Sequence, residues 1–219
     1  MEKRVKRIYF ISGLGADRRA FKKLTFPSDF ELIYIDWITP EADESLENYA
    51  LRMALKIDTS IPFYLIGLSF GGMLATEISK KLGPLHTFII SSSPVFEQLP
   101  WYYKMAGSLS LQKLVPVHLL KKGNNIGLRF MGAKTPDERL LLKQLIVDSD
   151  PHFMKWALTC ILKWRNKDRP ANLTHIHGTA DHILPIKYYN PDIIIPHGSH
   201  FMVYANGKEI SEYIQQSIR

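Results

Sequence analysis

Ser69 lies in Gly67-Leu68-Ser69-Phe70-Gly71, a serine with a glycine two residues away on each side. Phe63-Tyr64-Leu65-Ile66 ahead of it is an apolar run of strand length, and residues 70–82 behind it carry a helical pattern. A serine on so sharp a strand-to-helix turn is lifted clear of both elements, with its hydroxyl at the positive end of the helix. Glycines at 67 and 71 suit such a turn, because a side chain at either position would strike the adjoining strand or helix. The competing reading is a Gly-rich turn whose serine merely caps the helix. The strand, the spacing and the helix together favour a nucleophile.

A serine hydroxyl attacks only when a base takes its proton, and the base in turn needs an orienting acid. His175-Ile176-His177-Gly178-Thr179-Ala180-Asp181 carries a carboxylate just beyond a strand pattern. Pro196-His197-Gly198-Ser199-His200-Phe201-Met202 carries a histidine between the next strand pattern and the last helix. Asp181 and His200 therefore fall at C-terminal strand ends, the sheet edge that also holds Ser69, in the chain order Ser, Asp, His. Of the eight histidines, His175 and His177 read as strand residues, His86 opens a strand, and His118 and His152 belong to helical segments. His182 and His197 share the right loops, but Gly198 supplies a turn for His200 and residues 201–204 anchor the helix after it. Asp192 opens its strand and so belongs to the opposite edge.

A metal site is the rival constellation. His175, His177, Asp181 and His182 form H-x-H-x-x-x-D-H, two residues longer than the run used by binuclear zinc hydrolases, and no further ligands fall at convincing spacing. Neither a metal nor a cofactor is expected. Acyl transfer through Ser69 also needs two N–H donors for the oxyanion. Phe70 N–H, directly after the serine, is one; the other is expected from Leu14 N–H in Ser12-Gly13-Leu14-Gly15.

The elements that must position these groups alternate. Strand patterns at residues 5–12, 31–37, 63–68, 86–92, 172–177 and 192–195 are interleaved with helical patterns at 17–24, 44–56, 70–82, 151–164 and 202–218. This is the βαβ signature of an α/β protein with a buried, mostly parallel sheet. The alternation stops over residues 95–150, where Pro100, Pro116 and Pro136 bound helical stretches, clearest at 109–120 and 136–147. The expected organisation is a core of residues 1–94 and 151–219, with 95–150 inserted as a helical cap.

A chain of 219 residues that is 46% hydrophobic suits one domain of this size. No apolar run approaches the roughly 20 residues of a membrane span, and the apolar run after Arg7 is too short for a signal sequence. The single cysteine, Cys160, excludes an internal disulfide, so a cytoplasmic setting is expected. The net charge of +7 comes without any nucleic-acid-binding motif and reads chiefly as a basic, soluble surface.

Gly67-x-Ser69-x-Gly71, Gly13-Leu14-Gly15 and the Asp181 and His200 loops together resemble the α/β-hydrolase superfamily, and within it small carboxylesterases and thioesterases with a helical cap. The resemblance implies a sheet of about six strands in the order 2-1-3-4-5-6, helices on both faces, and an acyl-enzyme mechanism without cofactor. It departs at Ser12, where many members have histidine. It assigns the cap an apolar acyl pocket, for which Trp101, Tyr102, Tyr103, Met105, Leu109, Phe130 and Met131 are candidates. The substrate implied is an acyl ester or thioester, either a small molecule or one presented by an acidic acyl-carrier protein. Lys104, Lys113, Lys121, Lys122, Arg129 and Lys134 would attract such a carrier. Hydrolytic C–C cleavage and ligand binding without turnover are the alternatives of the same fold.

Overall fold

The computed structural model describes residues 6–109 and 125–218. Strands β1 (Lys6–Ile11), β2 (Phe30–Ile35), β3 (Phe63–Leu68), β4 (His86–Ile90), β5 (Leu173–Gly178) and β6 (Ile193–Ile195) form one sheet. Its order is β2-β1-β3-β4-β5-β6, and every adjacent pair is parallel. The chain steps from β1 outward to β2 and then back to β3 on the other side of β1. The crevice at such a reversal, beyond the C-terminal strand ends, is where open α/β sheets place ligands. The turn after β1 and Ser69 after β3 both open onto it.

Apolar residues dictate this sheet by filling both of its faces. All six positions of β3 are buried, as a continuous apolar run in a central parallel strand requires. Tyr9, Ile11, Leu65 and Ile89 face α1 (Leu46–Ala54), α2 (Phe70–Leu82) and α6 (Pro151–Lys163). Ile8, Phe10, Ile66 and Phe88 face α5 (Pro136–Asp148), α7 (Met202–Ala205) and α8 (Gly207–Ser217). Helix starts follow the capping chemistry: Ser45, Thr135 and Asp150 accept N–H bonds at the starts of α1, α5 and α6, and Thr135 with Glu138 makes a reciprocal capping box. Among the described residues no helix is long and apolar enough to cross a membrane.

Two expected helices differ. In place of a helix over residues 17–24 there is only a 3-10 turn at Arg18–Phe21, built from bonds such as Ala20 N–H to Asp17 O at 3.0 Å. Asp17 caps that turn, which buries Ala20 and Phe21, and the chain then leaves for β2. The closing helix is broken at Asn206, whose φ of −110° and ψ of 26° depart from helical values, and Gly207 after it approaches Lys23 so closely that an added Cβ would lie 2.6 Å from the lysine Cβ. In the inserted region α3 (Trp101–Ser108) ends at Leu109, where a helix was expected to begin. Gly107 lets α3 meet α6, since a side chain there would collide with the Leu162 carbonyl. The rest of that expected helix, with Lys113 and His118, lies outside the described residues, as do Lys121 and Lys122 after it. A short α4 (Asn125–Phe130) precedes α5.

Candidate active site

Ser69 has φ +50° and ψ −116°, a conformation that costs a non-glycine residue about 1–3 kcal/mol. The surroundings enforce it. Ser69 N–H donates to Ile90 O at 2.9 Å, and Ser69 O accepts from Gly72 N–H at 2.8 Å and from the Ser92 hydroxyl at 2.6 Å. A Cβ at Gly67 would lie 2.6 Å from the Gly72 α-carbon, and one at Gly71 would enter the carbonyls of Ile11 and Ser12. Gly72, beyond the motif, is equally constrained, because a side chain there would collide with Ser92. The turn can exist only with small residues at all three positions.

The loops that carry Asp181 and His200 are stitched to each other before they meet Ser69. Thr179 N–H bonds Ile195 O at 3.1 Å, Ala180 N–H bonds Gly198 O at 2.9 Å, and His197 N–H bonds the Thr179 hydroxyl at 2.8 Å. Gly178 and Gly198 lie so close that a Cβ on the first would strike the carbonyl of the second. This brings His200 Nδ1 to 2.8 Å from Asp181 Oδ2 and His200 Nε2 to 3.0 Å from Ser69 Oγ. Asp181 and His200 are buried, whereas Ser69 is only partly so. Asp181 Oδ1 accepts from Ile183 and Leu184 N–H at 2.9 and 2.8 Å. Burial raises the Asp181 pKa, but the charge and hydrogen bond of His200 and the Leu184 N–H outweigh it, and the net shift is downward.

The rivals lie elsewhere. His182 and His197 are exposed, His182 stacking on Phe130 at 5.6 Å. Asp192 accepts His175 N–H at 2.6 Å and pairs with Arg169 at the other end of β5. His175 and His177 are fully buried and bond each other at 2.9 Å, and His177 Nε2 donates to Leu184 O at 2.7 Å. Among the described residues no three His, Cys, Asp or Glu side chains are grouped to hold a metal ion.

On the other side of Ser69, the turn after β1 comes within touching distance. A Cβ on Gly13 would sit 3.3 Å from the Ser69 Cβ. Ser12 Oγ donates to Ala16 O and Ala16 N–H to Gly13 O, each at 3.0 Å, which closes the turn on itself. Among the described residues the N–H groups of Leu14 and Phe70 have no backbone acceptor.

The candidate pocket residues divide. The hydroxyls of Tyr102 and Tyr103 both lie 3.5 Å from Ile183 O, beside the acid loop. Phe130 reaches the same loop through His182. Trp101, Met105 and Leu109 are exposed on or at the end of α3. Met131 is partly buried against the core, and its carbonyl accepts Phe201 N–H at 3.1 Å. The sequence assigns no role to Ser92 or Thr179, and it marks His177 only as a strand residue or a metal-ligand candidate. The first could have been found from Ser91-Ser92-Ser93 ending an apolar strand, where nothing in a core needs three hydroxyls.

No protein-family model matches the chain, and no curated protein sequence matches it. Solved structures do. MenH from S. aureus superposes with a TM-score of 0.75 at 17% identity, covering 96% of this chain and 92% of that one. A lipase-esterase related protein from Clostridium acetobutylicum ATCC 824 gives 0.73 at 18% identity, over 100% and 96%. The esterase EaEST from Exiguobacterium antarcticum gives 0.72 at 16% identity, over 97% and 91%. The chain has the α/β-hydrolase fold.

Proposed function

We propose that the protein is a serine hydrolase that cleaves an acyl ester or thioester through an acyl-enzyme on Ser69. The observation that carries this reading is the unbroken line from Ser69 Oγ through His200 to Asp181, at 3.0 and 2.8 Å. Asp181 Oδ2 holds the proton of His200 on Nδ1, so Nε2 presents a lone pair to the serine hydroxyl. As Oγ attacks the acyl carbonyl, its proton passes to Nε2, and the oxyanion that forms is held by the N–H groups of Leu14 and Phe70. The imidazolium, stabilised by Asp181, then protonates the departing oxygen or sulfur. Water enters the same position, loses a proton to Nε2, and releases the acid and Ser69. The tyrosines of α3 and Phe130 of α4 would border the substrate above the acid loop.

The test is a p-nitrophenyl acetate assay paired with mass spectrometry after a fluorophosphonate probe. Wild type releases p-nitrophenol and gains one probe mass at Ser69. Ser69→Ala stays folded, gains none, and loses at least about 10⁴-fold in kcat/KM. Chelator leaves the wild-type rate unchanged. A Ser69→Ala protein that retained the rate would overturn the assignment, as would strong inhibition by chelator.

A further inference from the structure

A cavity of about 450 Å³ opens beside the acid and base loops. Arg129, Lys134 and Arg139 from the α4–α5 segment form one wall, and Ala180, His182 and Ser199 form the other. Ala180 precedes Asp181, His182 follows it, and Ser199 precedes His200. The cavity therefore adjoins the two loops that bring the base to Ser69, on the side of the inserted helices.

Its walls are fixed relative to each other. Gly132 has φ +95° and lies so close to Ser199 that any side chain there would collide with it. Phe201 N–H donates to Met131 O at 3.1 Å, and Phe130 stacks on His182. The α4–α5 segment is thus seated on the base loop by backbone contact, which leaves a recess between them rather than a slack gap.

The recess has one sign of charge. Arg7, Arg19, Arg52 and Arg169 each pair with a carboxylate. Among the described residues, Arg129, Lys134 and Arg139 pair with none, and the Arg139 guanidinium donates only to the Lys134 carbonyl, at 2.8 Å. The nearby acids are turned to other work: Asp137 and Glu138 lie in the first turn of α5, and the Glu138 carboxylate accepts the N–H groups of Lys134 and Thr135 at 2.6 and 3.1 Å. Neither lines the cavity. Two guanidiniums, an ammonium and an imidazole around a space of this size make a recess suited to an oxyanion, which guanidinium binds with two parallel hydrogen bonds.

We infer that this cavity binds a carboxylate or phosphate group carried on the alcohol or thiol side of the substrate. The side follows from the chemistry, and so rests on the hydrolase reading above. A leaving group departs toward the atom that protonates it, His200 Nε2, and the cavity is walled by the residues flanking that base and its acid.

The experiment uses three aryl acetates that differ only in the leaving phenol: 4-acetoxybenzoate, 4-acetoxyphenyl phosphate and neutral 4-acetoxybenzamide. Wild type favours one or both anionic esters, and whichever is favoured identifies the anion. In Arg129→Gln/Arg139→Gln the ratio of kcat/KM, anionic over neutral, falls about tenfold or more, chiefly through KM. Lys143→Gln, on the exposed side of α5, keeps the wild-type ratio. An unchanged ratio in the double variant, or no anionic preference in wild type, would overturn the inference. If wild type cleaves none of the three, the hydrolase reading fails, and calorimetric titration with inorganic phosphate and with benzoate judges the cavity by itself. Binding by wild type that is lost in the double variant supports an anion site, whereas equal binding, or none, removes it.

Discussion

His177 Nε2 lies 3.6 Å from Asp181 Oδ2, the same oxygen that accepts from His200 Nδ1, while its own proton goes to Leu184 O. Leu184 in turn donates its N–H to Asp181 Oδ1. One residue of the acid loop is therefore gripped at both its carbonyl and its N–H, once by a buried histidine and once by the carboxylate that the histidine stands behind. Because Leu184 O can only accept, His177 carries its proton on Nε2 and takes a hydrogen bond on Nδ1 from His175. His177 thus bears on Asp181 through Leu184, and neither histidine bonds Ser69.

Removing that grip should loosen the acid and leave substrate binding alone. His177→Phe keeps the ring but leaves the Leu184 carbonyl unpaired, which costs about 1–3 kcal/mol of stability. It should lower kcat for p-nitrophenyl acetate about 10-fold with little change in KM. His177→Gln can return an N–H to the carbonyl and should recover most of kcat. Thermal melts taken alongside separate lost activity from lost fold. Equal kcat in the Phe and Gln variants would reduce His177 to packing.

Acid should unfold the protein earlier than its carboxylates alone would. Burial, reinforced by the neighbouring His177, pushes His175 well below the ordinary value of 6.5. Burial lowers His177 as well, although Asp181 and the Leu184 carbonyl pull the other way. A proton that the unfolded chain binds near pH 6.5 is thus refused by the folded one, so stability falls as pH drops below that point. Each such histidine removes about 1.4 kcal/mol per pH unit until it protonates in the folded state. Asp181, net lowered from 3.8, adds a further loss only below about pH 4. The melting temperature should therefore hold steady between pH 7 and 8 and decline from about pH 6.5 downward. Histidine ring resonances followed by NMR check the cause: if those of His175 and His177 titrate at or above 6.5, the account is wrong.

What could be read without coordinates was whatever a single residue type forces locally. Gly67 and Gly71 announce the turn at Ser69 because only a missing side chain fits there, and the alternating strand and helix patterns announce a parallel sheet, whose order β2-β1-β3-β4-β5-β6 was legible only through the resemblance to the α/β-hydrolases. Placing Asp181 and His200 on the edge of Ser69 followed from the rule that loops after parallel strands share an edge, and choosing them over His182, His197 and Asp192 took the chain order Ser, Asp, His and the turn at Gly198. The contacts between distant segments were not legible. Nothing in the neighbourhood of Gly132 hints that it lies against Ser199, or in that of Gly207 that it lies against Lys23. The recess lined by Arg129 and Arg139 belongs to the same class, since residues 129–139 and 180–199 meet only through the folded chain.

The two oxygens of Asp181 predict what an isosteric change would do. Oδ1 accepts two N–H groups, from Ile183 and Leu184, so that position must remain an acceptor. In Asp181→Asn the amide oxygen is held there, and the NH₂ is forced into the place of Oδ2, facing His200 Nδ1. An NH₂ can only donate, so Nδ1 must give up its proton and the ring must carry it on Nε2, where it confronts the Ser69 hydroxyl and cannot accept from it. The fold survives, yet the neutral imidazole is in the wrong tautomer for a base. By analogy with the serine-protease triad, kcat at neutral pH should fall about 10⁴-fold with KM nearly unchanged. Asp192→Asn is the matching control: it weakens the Arg169 pair at the far end of β5 and should cost stability while leaving kcat within about threefold. Steady-state kinetics on both variants, with ¹⁵N spectra of the imidazole to read the tautomer, make the comparison. An Asp181→Asn protein with near-wild-type kcat would mean that Asp181 does not orient the base.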